Sequence, residues 1–224
     1  MVMFNNNVKP LGLAVLASCV AFNVWAIGGG GGSSADKMIV GDSIFALSGD
    51  IHEYLEGDLD ESIDTYARSG CQVNGGSLIC SRRYTIPNQY DNADKDGIET
   101  VIMNGGGNDF LLGDGADCTT QSCVEEVLAG IEQTLAGMYN DMRNDGIDEI
   151  IFLGYYNLGD PERDQINSVS MAYKAETYPQ MGIKFIDTRP AFAGNEARYI
   201  TSDGIHPTAA GSRVLADLIL DTLD

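Results

Sequence analysis

Histidine is nearly absent from this chain: of 224 residues, only His52 and His206 carry an imidazole. That excludes a histidine-rich metal centre, and a step that needs a neutral base near pH 7 falls to one of two side chains. Positive charge is scarce as well. Thirteen Lys and Arg face 33 Asp and Glu, a formal charge of −20, and such a surface repels nucleic-acid phosphates and anionic lipid headgroups alike. Nucleic acid is therefore not expected as a partner, and the acid excess reads as a solvated shell that keeps an exported protein soluble. The single Trp, Trp25, lies near the N-terminus, and the tyrosines are scattered without a stacking pattern. Apolar runs are short except at residues 11–27, whose length reaches only the lower edge of what spans a membrane.

That run follows Lys9 and precedes a string of glycines and serines, the pattern of an export signal followed by a flexible tether. Val24-Trp25-Ala26 offers a small residue at the cleavage position, giving a signal peptide over residues 1–26 and a Gly/Ser-rich linker over residues 27–36. A transmembrane anchor is one alternative. Lipidation is another, because Leu16-Ala17-Ser18-Cys19 resembles the lipobox of bacterial lipoproteins; against it, residues 20–27 stay apolar where a lipidated terminus turns polar at once. No stable membrane association is expected unless Cys19 is lipidated. Cleavage would remove Lys9 and no acid, so the charge of −20 would move by one to −21. The expected location is secreted or periplasmic, with a single domain over residues 37–224.

Four cysteines lie beyond the leader, in two close pairs: Cys71 with Cys80, and Cys118 with Cys123. Asn74-Gly75 is a hairpin turn signal, so Cys71 and Cys80 can face each other across two short strands. Two local disulfides are the expectation in an oxidising compartment. Four reduced, buried thiols and a zinc site are the alternatives, and neither pair has the two-residue spacing of a zinc ribbon.

From Lys37 onward, short apolar runs alternate with helical periodicity. Strands are expected at residues 37–41, 62–67, 99–105, 148–156 and 183–187, and helices at 43–57, 120–143, 162–178 and 207–223, with a polar, partly helical stretch over 84–96. Val124, Val127, Leu128, Ile131, Leu135, Met138 and Met142 form one helical stripe, and Gly146 is placed to end that helix. Alternating strands and helices imply parallel pairing in a doubly wound sheet. The fold class is therefore α/β, a three-layer α/β/α sandwich around a parallel, flavodoxin-like five-stranded sheet, whose sites collect at the carboxyl ends of the strands. That edge receives Ser43 after the first strand, Asn108 after the third and His206 after the last.

A serine hydroxyl becomes a nucleophile when a base takes its proton, and the oxyanion that follows needs donors. His52, nine residues beyond Ser43 on the same expected helix, would sit roughly 13 Å along its axis and cannot reach. His206 is the remaining base. Asp203 lies three residues before it in a tight Asp-Gly loop, placed to hold the other ring nitrogen. Ser43 at a helix start offers its own N–H, the Gly106-Gly107-Asn108 corner offers an amide, and Gly70 after the second strand offers another N–H.

Gly41-Asp42-Ser43, the glycine after the second strand, Gly106-Gly107-Asn108-Asp109 and Asp203-Gly204-Ile205-His206-Pro207 together resemble the successive blocks of the SGNH hydrolases, also called GDSL esterases and lipases. The resemblance covers nearly all of residues 37–224. It implies Ser43 as nucleophile, Asp203 and His206 as orienter and base, and Ser43, Gly70 and Asn108 as oxyanion-hole donors, with no metal and no cofactor. Asp109 is expected to support the Asn108 loop. The departure from the family pattern is Ile44 where leucine usually follows GDS. The implied activity is carboxylic ester hydrolysis through an acyl-enzyme, on short acyl esters or O-acetylated glycans. No long cap segment is visible, which favours an open groove and short acyl chains. An acyltransferase and a non-catalytic glycan-binding module are the alternatives. The acidic stretch 91–97 has part of a calcium-loop spacing, but Met103 stands at the closing position, so it reads as a solvated turn.

Overall fold

In a computed structural model the described residues are 35–47 and 49–223. The expected signal peptide, most of the linker and Cys19 lie outside them. Five strands form one sheet: β1 (Lys37–Val40), β2 (Asp64–Thr65), β3 (Thr100–Met103), β4 (Glu149–Leu153) and β5 (Lys184–Ile186). All pairs are parallel and the order is β2-β1-β3-β4-β5. The helices are α1 (Ser43–Ala46), α2 (Asp50–Leu59), α3 (Ile86–Asp91), α4 (Gly107–Leu111), α5 (Gln121–Asn144), α6 (Pro161–Thr177), α7 (Arg189–Phe192), α8 (Glu196–Tyr199) and α9 (Ala209–Leu220).

Both faces of the sheet are covered, which is why the strands read as continuous apolar runs. Alternate side chains serve opposite layers. Met38, Val40, Val101, Met103, Ile150 and Phe152 pack with Ile131, Leu135, Met138 and Met142 of α5, with Tyr90 of α3, and with Tyr178. Ile39, Ile102, Ile151 and Leu153 pack with Ile51 and Leu55 of α2 and with Leu215, Ala216 and Ile219 of α9. Burying a side chain of this size contributes about 1.5–3 kcal/mol relative to exposure. One ion pair enters the first layer: Lys174 of α6 meets Glu132 of α5, and the second oxygen of Glu132 accepts from the Tyr178 hydroxyl at 2.8 Å. Burial pulls the Lys174 ammonium down, and Glu132 opposes that shift.

Several boundaries differ from those expected. The helix predicted over 43–57 is two helices, because Gly49 takes the left-handed conformation at φ 75° and α2 starts afresh after it. His52 is thus on a different helix from Ser43, and its ring donates to the Ile63 carbonyl at 2.8 Å. The second strand shrinks to two exposed residues at the sheet edge. Cys71 and Cys80 are disulfide-bonded, as are Cys118 and Cys123, but among the described residues no strands flank the first pair. Its loop is held instead by main-chain bonds to Asp109 and by Ser77 N–H donating to the Cys80 carbonyl at 2.8 Å. The closing helix begins two residues late: Thr208, not a residue before Pro207, is its cap, accepting from Gly211 N–H at 3.2 Å. Gly146 follows the end of α5 as expected, at φ 93°, and Thr120 and Asp160 cap α5 and α6. At the front of the domain Ala35 is buried, and the Asp36 carbonyl accepts from Glu99 and Thr100 N–H.

Register decides where the site forms. Val40 pairs with Met103, Met103 with Phe152, and Leu153 with Ile186. The strands therefore end together, and the segments beginning at Gly41, Asn104 and Gly154 leave the sheet side by side. The order reverses between β1 and β3, the crevice where doubly wound sheets bind ligands. No helix among the described residues is long and apolar enough to cross a membrane.

Candidate active site

The corner after β1 is fixed from three sides before any chemistry is considered. Gly41 pairs with a carboxamide: its N–H donates to Gln89 Oε1 at 2.8 Å, and its carbonyl accepts from Gln89 Nε2 at 3.0 Å. A Cβ there would stand 2.1 Å from Asn104 Oδ1, so only glycine fits. Asp42, buried, caps α1 by accepting from Ile44 N–H at 3.0 Å. The same carboxylate accepts from Asn104 Nδ2 at 2.8 Å and from the Tyr155 hydroxyl at 2.6 Å, while Asp42 N–H donates to Asn104 Oδ1 at 2.9 Å. Tyr155 also accepts from Gly107 N–H at 3.2 Å. The loops after β1, β3 and β4 are thereby one network. Burial raises the Asp42 carboxyl above the ordinary aspartate value, only partly offset by Tyr155, Ile44, Asn104 and the nearby His206.

With Asp42 occupied in capping, Ser43 is the first helical residue and its hydroxyl is free to face the last loop. Ser43 Oγ lies 2.8 Å from His206 Nε2, and His206 Nδ1 lies 2.7 Å from Asp203 Oδ2. An ionised carboxylate only accepts, so Nδ1 carries the ring proton and Nε2 keeps its lone pair towards Ser43. Asp203 is held ionised. Burial works to raise it, but bonds from the His206 ring, His206 N–H, Thr201 Oγ1 and Ile205 N–H outweigh that and keep the carboxyl well below the usual range. The loop is pinned by Thr201 N–H donating to the His206 carbonyl at 2.8 Å, by a bridge between Ile200 and Pro207, and by the Tyr156 hydroxyl on the Ile205 carbonyl at 2.6 Å. Tyr156 itself is stacked on Phe192, ring centroids 4.0 Å apart.

The two remaining residues of interest meet on the other side. Asn108 Nδ2 donates to the Cys71 carbonyl at 3.0 Å, which ties α4 to the residue after Gly70 and leaves the second amide hydrogen of Asn108 for another acceptor. Gly70 takes φ 73°, and a Cβ there would come 2.5 Å from Ile79 Cγ2, so both backbone and space call for glycine. Arg68 N–H donates to the Gly41 carbonyl at 3.0 Å, bringing this loop against the Ser43 corner. Asp109 accepts from Val73 N–H at 2.9 Å and Asn74 N–H at 2.8 Å. Burial pushes its carboxyl up to about 6, against the two N–H groups, with Asp42 adding to the rise.

Such an arrangement can move a proton from Ser43 Oγ to His206 while Asp203 balances the imidazolium. Among the described residues no group of three or more His, Cys, Asp or Glu side chains is placed to hold a metal ion. The sequence did not single out Tyr155, Asn104 or Gln89. Asn104 was within reach, since it directly precedes the glycine run after a strand; nothing local marks the other two.

A family model for the GDSL-like lipase/acylhydrolase family matches residues 39–214. No curated protein matches by sequence. Among solved structures, the lipase Lip_vut3 from a goat rumen metagenome is 20% identical with a TM-score of 0.65, covering 84% of this chain and 97% of its own. A catalytic mutant of Axe2, an acetylxylan esterase from Geobacillus stearothermophilus, is 18% identical with a TM-score of 0.61, covering 85% of this chain and 94% of its own. A member of the lipolytic protein G-D-S-L family from Veillonella parvula is 21% identical with a TM-score of 0.58, covering 84% of this chain and 97% of its own. At these identities the likeness is one of fold.

Proposed function

Because the chain belongs to the GDSL-like lipase/acylhydrolase family, we propose that it is a serine ester hydrolase working through an acyl-enzyme on short acyl esters or O-acetylated glycans. The observation that carries this is the continuous line from Ser43 Oγ through His206 to Asp203, with separations of 2.8 and 2.7 Å. Ser43 Oγ attacks the ester carbonyl as its proton passes to His206 Nε2. The oxyanion is received by the N–H groups of Ser43 and Gly70 and by Asn108 Nδ2. As the C–O bond to the alcohol breaks, His206 gives its proton to the leaving oxygen. Water then repeats the sequence on the acyl-enzyme, releasing the acid and restoring Ser43. Asp203 keeps the proton on Nδ1 throughout.

α1 has only four residues, so the Ser43 N–H acts as a local donor more than as the end of a helix dipole. An acyltransferase needs the same acyl-enzyme with an acceptor hydroxyl in place of water, and product analysis with and without sugar acceptors separates the two. Covalent labelling of the serine by a fluorophosphonate separates both from a glycan-binding module that does no chemistry. Wild type should be labelled at Ser43 and should hydrolyse p-nitrophenyl acetate, and Ser43→Ala should lose both while unfolding at the same temperature. Full activity in Ser43→Ala would sink the assignment. Two disulfides fit an oxidising compartment, and with the leader read as a signal peptide they support export to the periplasm or the medium.

A further inference from the structure

Arginine is unevenly used in this acidic protein. Lys37, Lys174, Lys184, Arg189 and Arg213 each meet a carboxylate. Arg68 and Arg83 do not: like Arg82, Arg143, Arg163, Arg198 and Lys95, they have no carboxylate within ion-pair distance among the described residues, although acids outnumber bases 33 to 13; what sets these two apart is that they share a ring. Both instead rest on one ring. Arg68 Cζ is 4.1 Å and Arg83 Cζ 4.5 Å from the centroid of Tyr84, which holds the two cations within about 9 Å of each other. Two like charges gathered at one ring without a carboxylate partner are suited to meet an anion.

The place of this pair gives it a use. A cavity of about 520 Å³ is lined by Ala46, Ser69, Leu78, Ile79, Arg68 and Tyr84, and a second of about 410 Å³ by Tyr66, Asn88, Asn92, Arg83, Arg68 and Tyr84. Both have Arg68 and Tyr84 in their walls. The first begins beside the reaction centre. Ala46 is three residues after Ser43 on α1, the Arg68 N–H is bound to the Gly41 carbonyl at 3.0 Å, and Ile79 packs over Gly70. Leu78 and Ile79 are exposed, so the end near the oxyanion donors has an apolar lip. The second cavity is lined by phenol, carboxamide and guanidinium groups, the side chains that suit a hydroxyl-rich ring with a negative charge.

We propose that the ester cleaved at Ser43 is carried by an acidic sugar, a mono- or short oligosaccharide of the uronic-acid type, with its carboxylate held at the edge of Tyr84 by Arg68 and Arg83. A short ligand is favoured over a polymer, because the arginines dominate only within a Debye length, about 8 Å in physiological salt, beyond which a long polyanion meets the acidic surface. The proposal rests on the esterase reading for the bond that is broken, but not for the binding of the anion. The two are tested apart.

Binding is measured calorimetrically on full-length Ser43→Ala with trigalacturonic acid and with neutral xylotriose. The acidic trimer should bind at least about tenfold more tightly, and its affinity should fall as salt rises from about 20 to about 200 mM. Arg68→Gln/Arg83→Gln should remove the difference; Arg83→Gln alone, at a position whose main chain makes no hydrogen bond to the Ser43 corner, should reduce it if the double variant does not fold. Kinetics then compare acetylated galacturonate and acetylated xylose oligomers: the double variant should lower the acidic-to-neutral ratio of kcat/KM at least about tenfold. Equal affinity for the two trimers, or a preference that survives removal of both arginines, overturns the proposal. So does tight binding of polygalacturonate without binding of the trimer. If the acidic trimer binds as expected but wild type hydrolyses neither p-nitrophenyl acetate nor the acetylated oligomers, the esterase reading fails and the anion site stands.

Discussion

Replacing Asp109 by Asn should change how stability depends on pH, by an amount the buried carboxyl sets. Asp109 is 3% exposed and titrates at about 6 in the fold against 3.8 as a free side chain. A carboxyl whose folded value is raised favours folding most when protonated, below pH 3.8, and that contribution is lost as pH rises through 6. Roughly two units at 1.36 kcal/mol each make about 3 kcal/mol, of which about 1 is gone by about pH 4.5 and about 2 more is lost by pH 7. Asparagine cannot ionise and lacks this slope. It carries a penalty of its own, because its NH₂ cannot accept, so either Val73 or Asn74 N–H loses its acceptor at a cost of about 1–3 kcal/mol that does not vary with pH. Asp42 titrates in both proteins, and removing the neighbouring charge eases its ionisation, which acts in the same direction. Urea unfolding under non-reducing conditions, followed by circular dichroism at about pH 4.5 and pH 7, should show the gap between variant and wild type moving by about 2 kcal/mol in favour of the variant as pH rises, with the denaturant slope unchanged. Parallel stability curves would refute the reasoning.

Tyr155→Phe removes the 2.6 Å donor to Asp42 and the acceptor of Gly107 N–H; hydrogen bonds to a buried charged group suggest a loss of about 2 kcal/mol in thermal unfolding, with a fall in kcat because the Ser43 and Asn108 loops lose their common anchor. A full loss of folding in Tyr155→Phe, or no change at all, would contradict that placement. Serine in place of both Cys71 and Cys80 should cost about 2.5 kcal/mol from loop entropy, and in place of Cys118 and Cys123 about 2 kcal/mol, with only the first pair lowering activity, since only that loop adjoins Gly70 and packs Ile79 over it. Asp203→Asn should lower kcat by about 10²–10⁴-fold by releasing the ring tautomer. Its carboxyl is depressed in the fold, so wild type has stability that is present above pH 3.8 and lost as pH falls below it, and the variant should lack that acid-side slope.

What could be read from the sequence divides along the range of the interactions involved. Strand order follows from alternating periods and short connections, and the stop at Gly146 and the starts at Thr120 and Asp160 are local chemistry that the chain carries in plain form. The split of α1 from α2 was local too, but Gly49 sits inside an otherwise good helical pattern, where one residue's left-handed φ outweighs the periodicity of its neighbours. The cysteine loop was misread because Asn74-Gly75 is a turn signal whose strands never form: the N–H groups of Val73 and Asn74, which a hairpin would use across the turn, are taken by Asp109, 36 and 35 residues away. Tyr155 and Gln89 lie beyond any local reading for the same reason. Their partners are 113 and 48 residues distant, and nothing at either position marks a tyrosine that will join a buried aspartate or a carboxamide that will pair with a peptide group. The residues proposed to make and break bonds announce themselves because their neighbours must form sharp loops at strand ends. The residues that hold those loops in register need only the right atom at the right distance, and they become visible once the sheet order has brought the strand ends together.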